Sequence, residues 1–190
     1  MPIKIAISGC AGIGKTTLAK VLSERLKLPL IEELYEPLFN PPGRFNGPPR
    51  QIADAFLQIF NTKKQLEEQH GSFVTDRCPV DLCHLWMKRG LSVLEQETEV
   101  IFEQGQQQVA QYDLLVILPA GVLEFVTEHE AGDSRRRAAS QYIQMYNHAS
   151  IIGLATLWMP KEHFLCLPKE CQSVEERVEA VQQALQFLSL

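Results

Sequence analysis

The chain has 190 residues, with 18 basic against 23 acidic side chains and a formal net charge of −5. At this length about 70% of the unfolded chain's surface is buried on folding, so a conventional core in a single domain over 1–190 needs no disulfide or metal staple. An apolar share of 45% with 22% charged residues excludes disordered and fibrous classes, and the acidic balance argues against nucleic acid or an anionic membrane as partner. The five cysteines, Cys10, Cys78, Cys83, Cys166 and Cys171, are odd in number and lack zinc-site spacing, which suits reduced thiols in the cytoplasm. The N-terminal residues carry no secretory signature. The one long uncharged run, 138–160, contains Gln141, Gln144, Asn147, His148 and Ser150, so it reads as a buried helix rather than a membrane span.

Residues 3–8 are apolar apart from Lys4 and end at Gly9; Leu18, Val21, Leu22 and Leu26 then recur at helical spacing. This is strand, glycine loop and helix. A second strand is expected at 30–33. Five of the eleven prolines fall between 37 and 49, which prevents regular structure there. The stripe Ile52, Phe56, Ile59, Phe60 and Leu66 predicts a helix over 52–70, with Lys63, Lys64, Glu67 and Glu68 largely off it. A short strand at 73–76 delivers Asp76 and Arg77 at its C-terminal end. Pro79 opens a helix through Lys88 that Gly90 stops. Ser92 and Glu95 have capping-box spacing for a helix running toward Gln111.

Residues 113–119, DLLVILP, are the strongest strand signal, a continuous apolar run of the kind buried on both faces in parallel sheets. A short helical piece at 122–127, a polar loop with Gly132, and a helix from about Ser134 past Ile152 are expected next. A weak strand at 164–167 follows. Ser173 and Glu176 cap a last helix with the stripe Val174, Val178, Val181, Leu185 and Leu188. Alternating strands and helices predict an α/β fold, a parallel sheet with helices on both faces.

Gly9-Cys10-Ala11-Gly12-Ile13-Gly14-Lys15-Thr16 matches GxxxxGK[ST] in its required place between strand and helix. The loop amides, including those at Gly9, Gly12, Ile13 and Gly14, would gather phosphate oxygens at the positive end of the following helix. Lys15 would bridge the β- and γ-phosphates, the Thr16 hydroxyl would ligate magnesium, and Thr17 would add a bond to the α-phosphate.

Other chemistry-bearing residues surround this loop. Asp76 is the carboxylate best placed for the metal; the other reading is an acid favouring the dipole of the next helix. Arg77 is either a surface charge or a cation aimed at the transferred phosphoryl group. Asp81, in the first turns of a helix, is a weaker candidate. Glu32, Glu33 and Glu36 cluster after the second strand, at the sheet edge where ligands bind; one of them would take a proton from a substrate hydroxyl or bind a sugar, unless all three are solvated surface acids. Arg135, Arg136 and Arg137 open a helix, where the dipole disfavours cations. A lid closing over phosphates would explain that, as would a solvated basic face. The five histidines show no metal or triad spacing.

With Gly9 to Thr17, the stretch Thr75-Asp76-Arg77-Cys78-Pro79-Val80-Asp81-Leu82 and the Asp133-Ser134-Arg135 loop, the sequence resembles small P-loop ATPase/kinase domains related to nicotinamide-riboside kinase and deoxynucleoside kinases. The resemblance implies a three-layer P-loop NTPase fold with a five-stranded sheet in the order 2-3-1-4-5 and a helical, arginine-bearing lid at about 128–140. Glu36-Pro37 looks like the Glu-Pro pair whose glutamate is the base on the sugar hydroxyl in deoxynucleoside kinases. Cys78 stands where those families commonly have serine.

The resulting expectation is an ATP- and Mg2+-dependent kinase acting on a nucleoside or similar ribosyl compound, as monomer or homodimer. Lys15 and the loop hold the phosphates, Thr16 and Asp76 the metal, Arg77 and Arg135 the transition-state charge, with Glu36 or Asp76 as base. The alternative is a nucleotide-switched regulatory P-loop ATPase. The proline-rich loop separates the two, lining a pocket in a kinase and projecting as an apolar patch in a partner module.

Overall fold

The computed structural model describes residues 2–34, 47–121 and 141–188. Glu36, most of the proline-rich loop, the expected helical piece at 122–127, the lid and Arg135 to Arg137 lie outside the described residues. In chain order the elements are β1 (Lys4–Ser8), α1 (Lys15–Leu26), β2 (Leu30–Ile31), α2 (Pro49–Glu68), β3 (Phe73–Asp76), α3 (Pro79–Lys88), α4 (Glu95–Val109), β4 (Leu114–Ile117), α5 (Gln141–Trp158), β5 (Phe164–Cys166) and α6 (Val174–Phe187). Single 3-10 turns at Leu91–Val93 and Lys161–His163 separate α3 from α4 and α5 from β5. The five strands are all parallel in the order β2-β3-β1-β4-β5, as the resemblance implies.

The two faces of the sheet follow the two-residue period of its strands. Ile5, Ile7, Leu114 and Val116 point to one side, where Leu18 and Leu22 of α1 and Val178, Val181 and Leu185 of α6 cover them. Ala6, Phe73, Leu115 and Ile117 point to the other, against Val80 of α3, Val109 of α4 and Ile151 and Ala155 of α5. A further cluster joins α2, α3 and α4 around Phe56, Phe60, Leu82, Trp86 and Ile101. Helices on both faces leave the C-terminal strand ends as the open crevice. Register then decides what meets there: Ile7 pairs with Asp76, so β1 hands over to its glycine loop directly beside the last residue of β3.

Several expectations change. The Ser92 and Glu95 capping box does not form: Ser92 lies inside the 3-10 turn and α4 opens at Glu95 with Leu94 uncapped by a side chain. Burial of Leu91, together with the Trp86 Nε1 bond to Thr98 Oγ1 at 2.8 Å, pulls this segment into a turn instead. The second strand is shorter than 30–33, because it pairs only with β3 and does so only through Leu30 and Ile31. The helix expected within 138–160 is only half-buried over its described residues. Described from Gln141, it buries Asn147, Ile151 and Ala155, while Tyr142 and Leu157 are 79% and 77% exposed. The sheet, α3 and α4 cover one side of it, and Phe102 of α4 meets Trp158 edge to face at 5.7 Å. No described helix is long and apolar enough to cross a membrane.

Phe56 is fully enclosed and meets Trp86 edge to face at a centroid distance of 5.9 Å. Phe56→Ala should therefore cost about 3–5 kcal/mol, measured as a lower urea midpoint with an unchanged slope.

Candidate functional site

The loop from β1 to α1 takes a path that only glycine allows at two points. Gly9 has φ +136, and a Cβ there would lie 2.7 Å from Ile13 Cδ1 and 3.2 Å from the Leu118 carbonyl oxygen. Gly14 is the N-cap of α1 at φ +89, where a Cβ would stand 3.0 Å from an Arg177 nitrogen. Both Cβ clash and positive φ penalise other residues.

The loop's carbonyls are engaged. Lys15 Nζ donates to the Cys10 carbonyl, Gln144 Nε2 to that of Ala11 at 3.5 Å, Arg177 Nη1 to that of Ile13 at 2.9 Å, and the Leu18 amide to that of Gly14 at 3.0 Å. Across a planar trans peptide the carbonyl and the next amide point in opposite directions. Tying Ala11 to α5 and Ile13 to α6 therefore turns the amides of Gly12 and Gly14 away from those helices. Among the described residues the amides at 10–14 donate to no protein acceptor. With the first-turn amides of α1 they form an anion-binding nest. Cys10 packs this loop from within: its thiol donates to the Gln144 carbonyl at 3.2 Å, and burial pushes its pKa up to about 11.

Lys15 is buried, and that burial, with the nearby Arg77 charge, brings its pKa down to about 8. Thr16 and Thr17 face solvent at the start of α1. The Thr16 hydroxyl donates to Asp76 Oδ2 at 2.6 Å. Asp76 is 1% exposed, and its second oxygen, Oδ1, has no hydrogen-bond partner among the described residues. Asp76 stands at the C-terminal end of β3, directly beside the glycine loop. The capping role belongs to Asp81, whose Oδ2 accepts the Cys78 amide at 3.1 Å at the start of α3.

Arg77 adopts φ +66, fixed by its amide bond to the Ile7 carbonyl at 2.8 Å and by the Thr75 hydroxyl, which donates to its carbonyl. Its Nε meets Glu33 Oε1 at 2.8 Å and its Nη1 meets Asp81 Oδ1 at 3.3 Å. The guanidinium is thus a bridge from the end of β2 to the start of α3. Of the three acids after β2, Glu33 is in this bridge and Glu32 lends its carbonyl to Lys63 at 3.5 Å.

Two buried charged groups escaped the sequence reading. Lys63 and Glu67 are 4% and 5% exposed rather than off the stripe. Lys63 Nζ donates to the Asp76 carbonyl, and burial lowers its pKa. Glu67 Oε2 accepts Gln108 at 2.6 Å and Tyr112 at 2.9 Å, while burial raises its pKa. The signal was present: positions 56, 60, 63 and 67 follow the helical period. Arg177 was missed too, although 174, 177, 178 and 181 share one face of α6.

A family model described as an AAA domain matches residues 4–154. The chain belongs to the AAA domain family. No match was found among curated protein sequences. Solved structures share this family member's fold at low identity. Deoxyadenosine kinase from M. mycoides, with products dCMP and a flexible dCDP bound, has a TM-score of 0.67 at 15% identity, over 98% of this chain and 100% of that one. NadR in complex with NAD and AMP-PNP has a TM-score of 0.66 at 15% identity, over 97% of this chain but 50% of that one. YorR from Bacillus subtilis, in complex with phosphorylated GDP, has a TM-score of 0.59 at 15% identity, over 97% and 96%. The AAA domain here has the P-loop kinase-like fold.

The lowered pKa of Lys15 has a measurable effect on stability. The folded chain releases this proton near pH 8, whereas an unfolded lysine holds it to about 10.5. Below pH 8 both states are protonated and the cost of burying the ammonium is present in full; between pH 8 and 10.5 the unfolded chain binds more protons, so stability rises with pH. Lys15→Met should be more stable than the native chain at pH 7 and should show a smaller gain between pH 7 and 9.5, both read by urea unfolding without ligand.

Proposed function

We propose that this chain is an ATP- and Mg2+-dependent phosphotransferase acting on a small hydroxyl-bearing metabolite, a nucleoside or ribosyl compound. In this reading 1–190 is one kinase-like domain with a lid at about 128–140. The observation that carries it is the Thr16 to Asp76 hydrogen bond, 2.6 Å, formed beside a buried Lys15. A turn serving only to connect strand and helix gains nothing from a buried ammonium, and a hydroxyl and a buried carboxylate in contact are what a phosphate-bound magnesium ion requires. No group of three or more His, Cys, Asp or Glu is placed to hold a metal among the described residues. That suits an ion held largely by phosphates and water, with Thr16 and Asp76 as its protein contacts. When bound, magnesium neutralises charge on the phosphate oxygens.

The chain's own residues divide the remaining work. The amides from Gly9 to Gly14, with Ile13 among them, and those of Lys15, Thr16 and Thr17 orient the triphosphate; Lys15 supplies positive charge in a site of low dielectric. Arg77, braced by Glu33 and Asp81, sets the acceptor edge and faces charge developing on the transferred group, joined by Arg135 from the lid. Glu36 or Asp76 takes the proton from the acceptor hydroxyl. Transfer of this kind is chiefly positioning and electrostatics. The choice of acceptor draws on the ligands of the similar structures: dATP and dCTP with deoxyadenosine kinase, NR with NadR.

ATP consumption measured across nucleosides, ribosyl cofactors and sugars tests this. One acceptor class should raise the rate well above basal, and Lys15→Ala and Asp76→Asn should each lower that stimulated rate by about 10²-fold or more. Equal hydrolysis with every acceptor would overturn the kinase reading in favour of a nucleotide switch.

A further inference from the structure

The opening turn of α6 holds a cation that the roles above leave unused. Arg177 is 2% exposed, yet no carboxylate lies within ion-pair distance of it among the described residues. Its Nε donates to the Cys171 carbonyl at 3.0 Å and its Nη1 to the Ile13 carbonyl at 2.9 Å. Its Nη2 is buried and has no hydrogen-bond partner among the described residues. Glu176, the preceding residue, acts on it through space only and spends its carboxylate on the Ser173 cap; a guanidinium removed from water whose hydrogen-bond partners are neutral carbonyls is costly.

Fastening α6 does not account for that cost. Val178, Val181 and Leu185 already bury the helix on the sheet, and Glu175 forms an ion pair with Arg25 of α1. What Arg177 alone does is hold the Ile13 carbonyl toward α6, which points the Gly14 amide the opposite way. It also places a full positive charge behind the phosphate loop, within 3.0 Å of where a Gly14 Cβ would be. An anion in the loop would offset that charge across a thin, dry layer.

We propose that Arg177 is a positioning residue of the phosphate site, orienting the Ile13–Gly14 peptide and adding its charge to the field that grips the phosphates. The proposal rests on the nucleotide-binding reading above. It acts through the polyphosphate and not through the base or sugar. Its signature is therefore a loss that a bare polyphosphate feels as strongly as a nucleotide does.

The test is calorimetric titration of the full chain and of Arg177→Gln and Arg177→Lys with Mg-ATP and, separately, with inorganic tripolyphosphate. Arg177→Gln should weaken both ligands by about tenfold or more, with a shallower salt dependence and no fall in the ligand-free melting temperature. Arg177→Lys, which keeps the charge but not the forked donors, should recover part of the affinity. Unchanged binding of both ligands, loss for ATP alone, or a large fall in ligand-free melting temperature with unchanged binding would overturn the inference. Should the glutamine variant not fold, an unaltered affinity of Arg177→Lys for both ligands overturns it equally. A native chain that binds neither ligand would bring down the nucleotide reading itself, and this inference with it; a native chain that binds both with the same affinity as the variants defeats this inference alone.

Discussion

A phosphate loop must keep a row of amides unsatisfied by the protein, and unsatisfied amides normally recruit some acceptor of their own. Here the carbonyls on the same peptides are held from outside. Gln144 of α5 binds that of Ala11 and Arg177 of α6 binds that of Ile13, while Lys15 reaches back to Cys10. With the carbonyls anchored, the loop cannot collapse onto itself without breaking bonds to three separate parts of the chain. The positions that hold it open are 133 and 164 residues away in sequence for Gln144 and Arg177.

Around that loop the sheet edge collects charge in a graded order. Lys15, Asp76 and Thr16 gather at the glycine loop, whereas Arg77, Glu33 and Asp81 form a braced corner beside them. Beneath them Lys63 ties the Asp76 and Glu32 carbonyls together, so the ends of β3 and β2 share one ammonium. Such buried groups lower stability in the resting chain, which is the usual relation between a prepared site and the fold that holds it. Desolvation lowers the pKa of both Lys15 and Lys63, and this is the same cost seen as proton affinity.

Much of this architecture was legible in the amino acids. Strands β1, β3 and β4 are short apolar runs, and the capping signals at Pro79 and Ser173 mark true helix starts. Ser92 misled because a capping box is a local preference of about 1 kcal/mol, smaller than the gain from burying Leu91. Lys63 and Glu67 read as off the stripe and Arg177 carried no expectation; charged residues are rarely buried unless paired, and the partners of all three come from other elements.

By itself the sequence determined the loop's chemistry, since glycine at positions 9, 12 and 14 followed by Lys15 and Thr16 encodes a phosphate nest in local geometry, and the alternation of apolar runs determined a parallel sheet. Tertiary structure alone decided that Asp76 meets Thr16, that Glu33 meets Arg77, and that Arg177 stands behind Ile13. Those contacts join residues up to 164 positions apart. They are set by strand order and register, which no local pattern specifies.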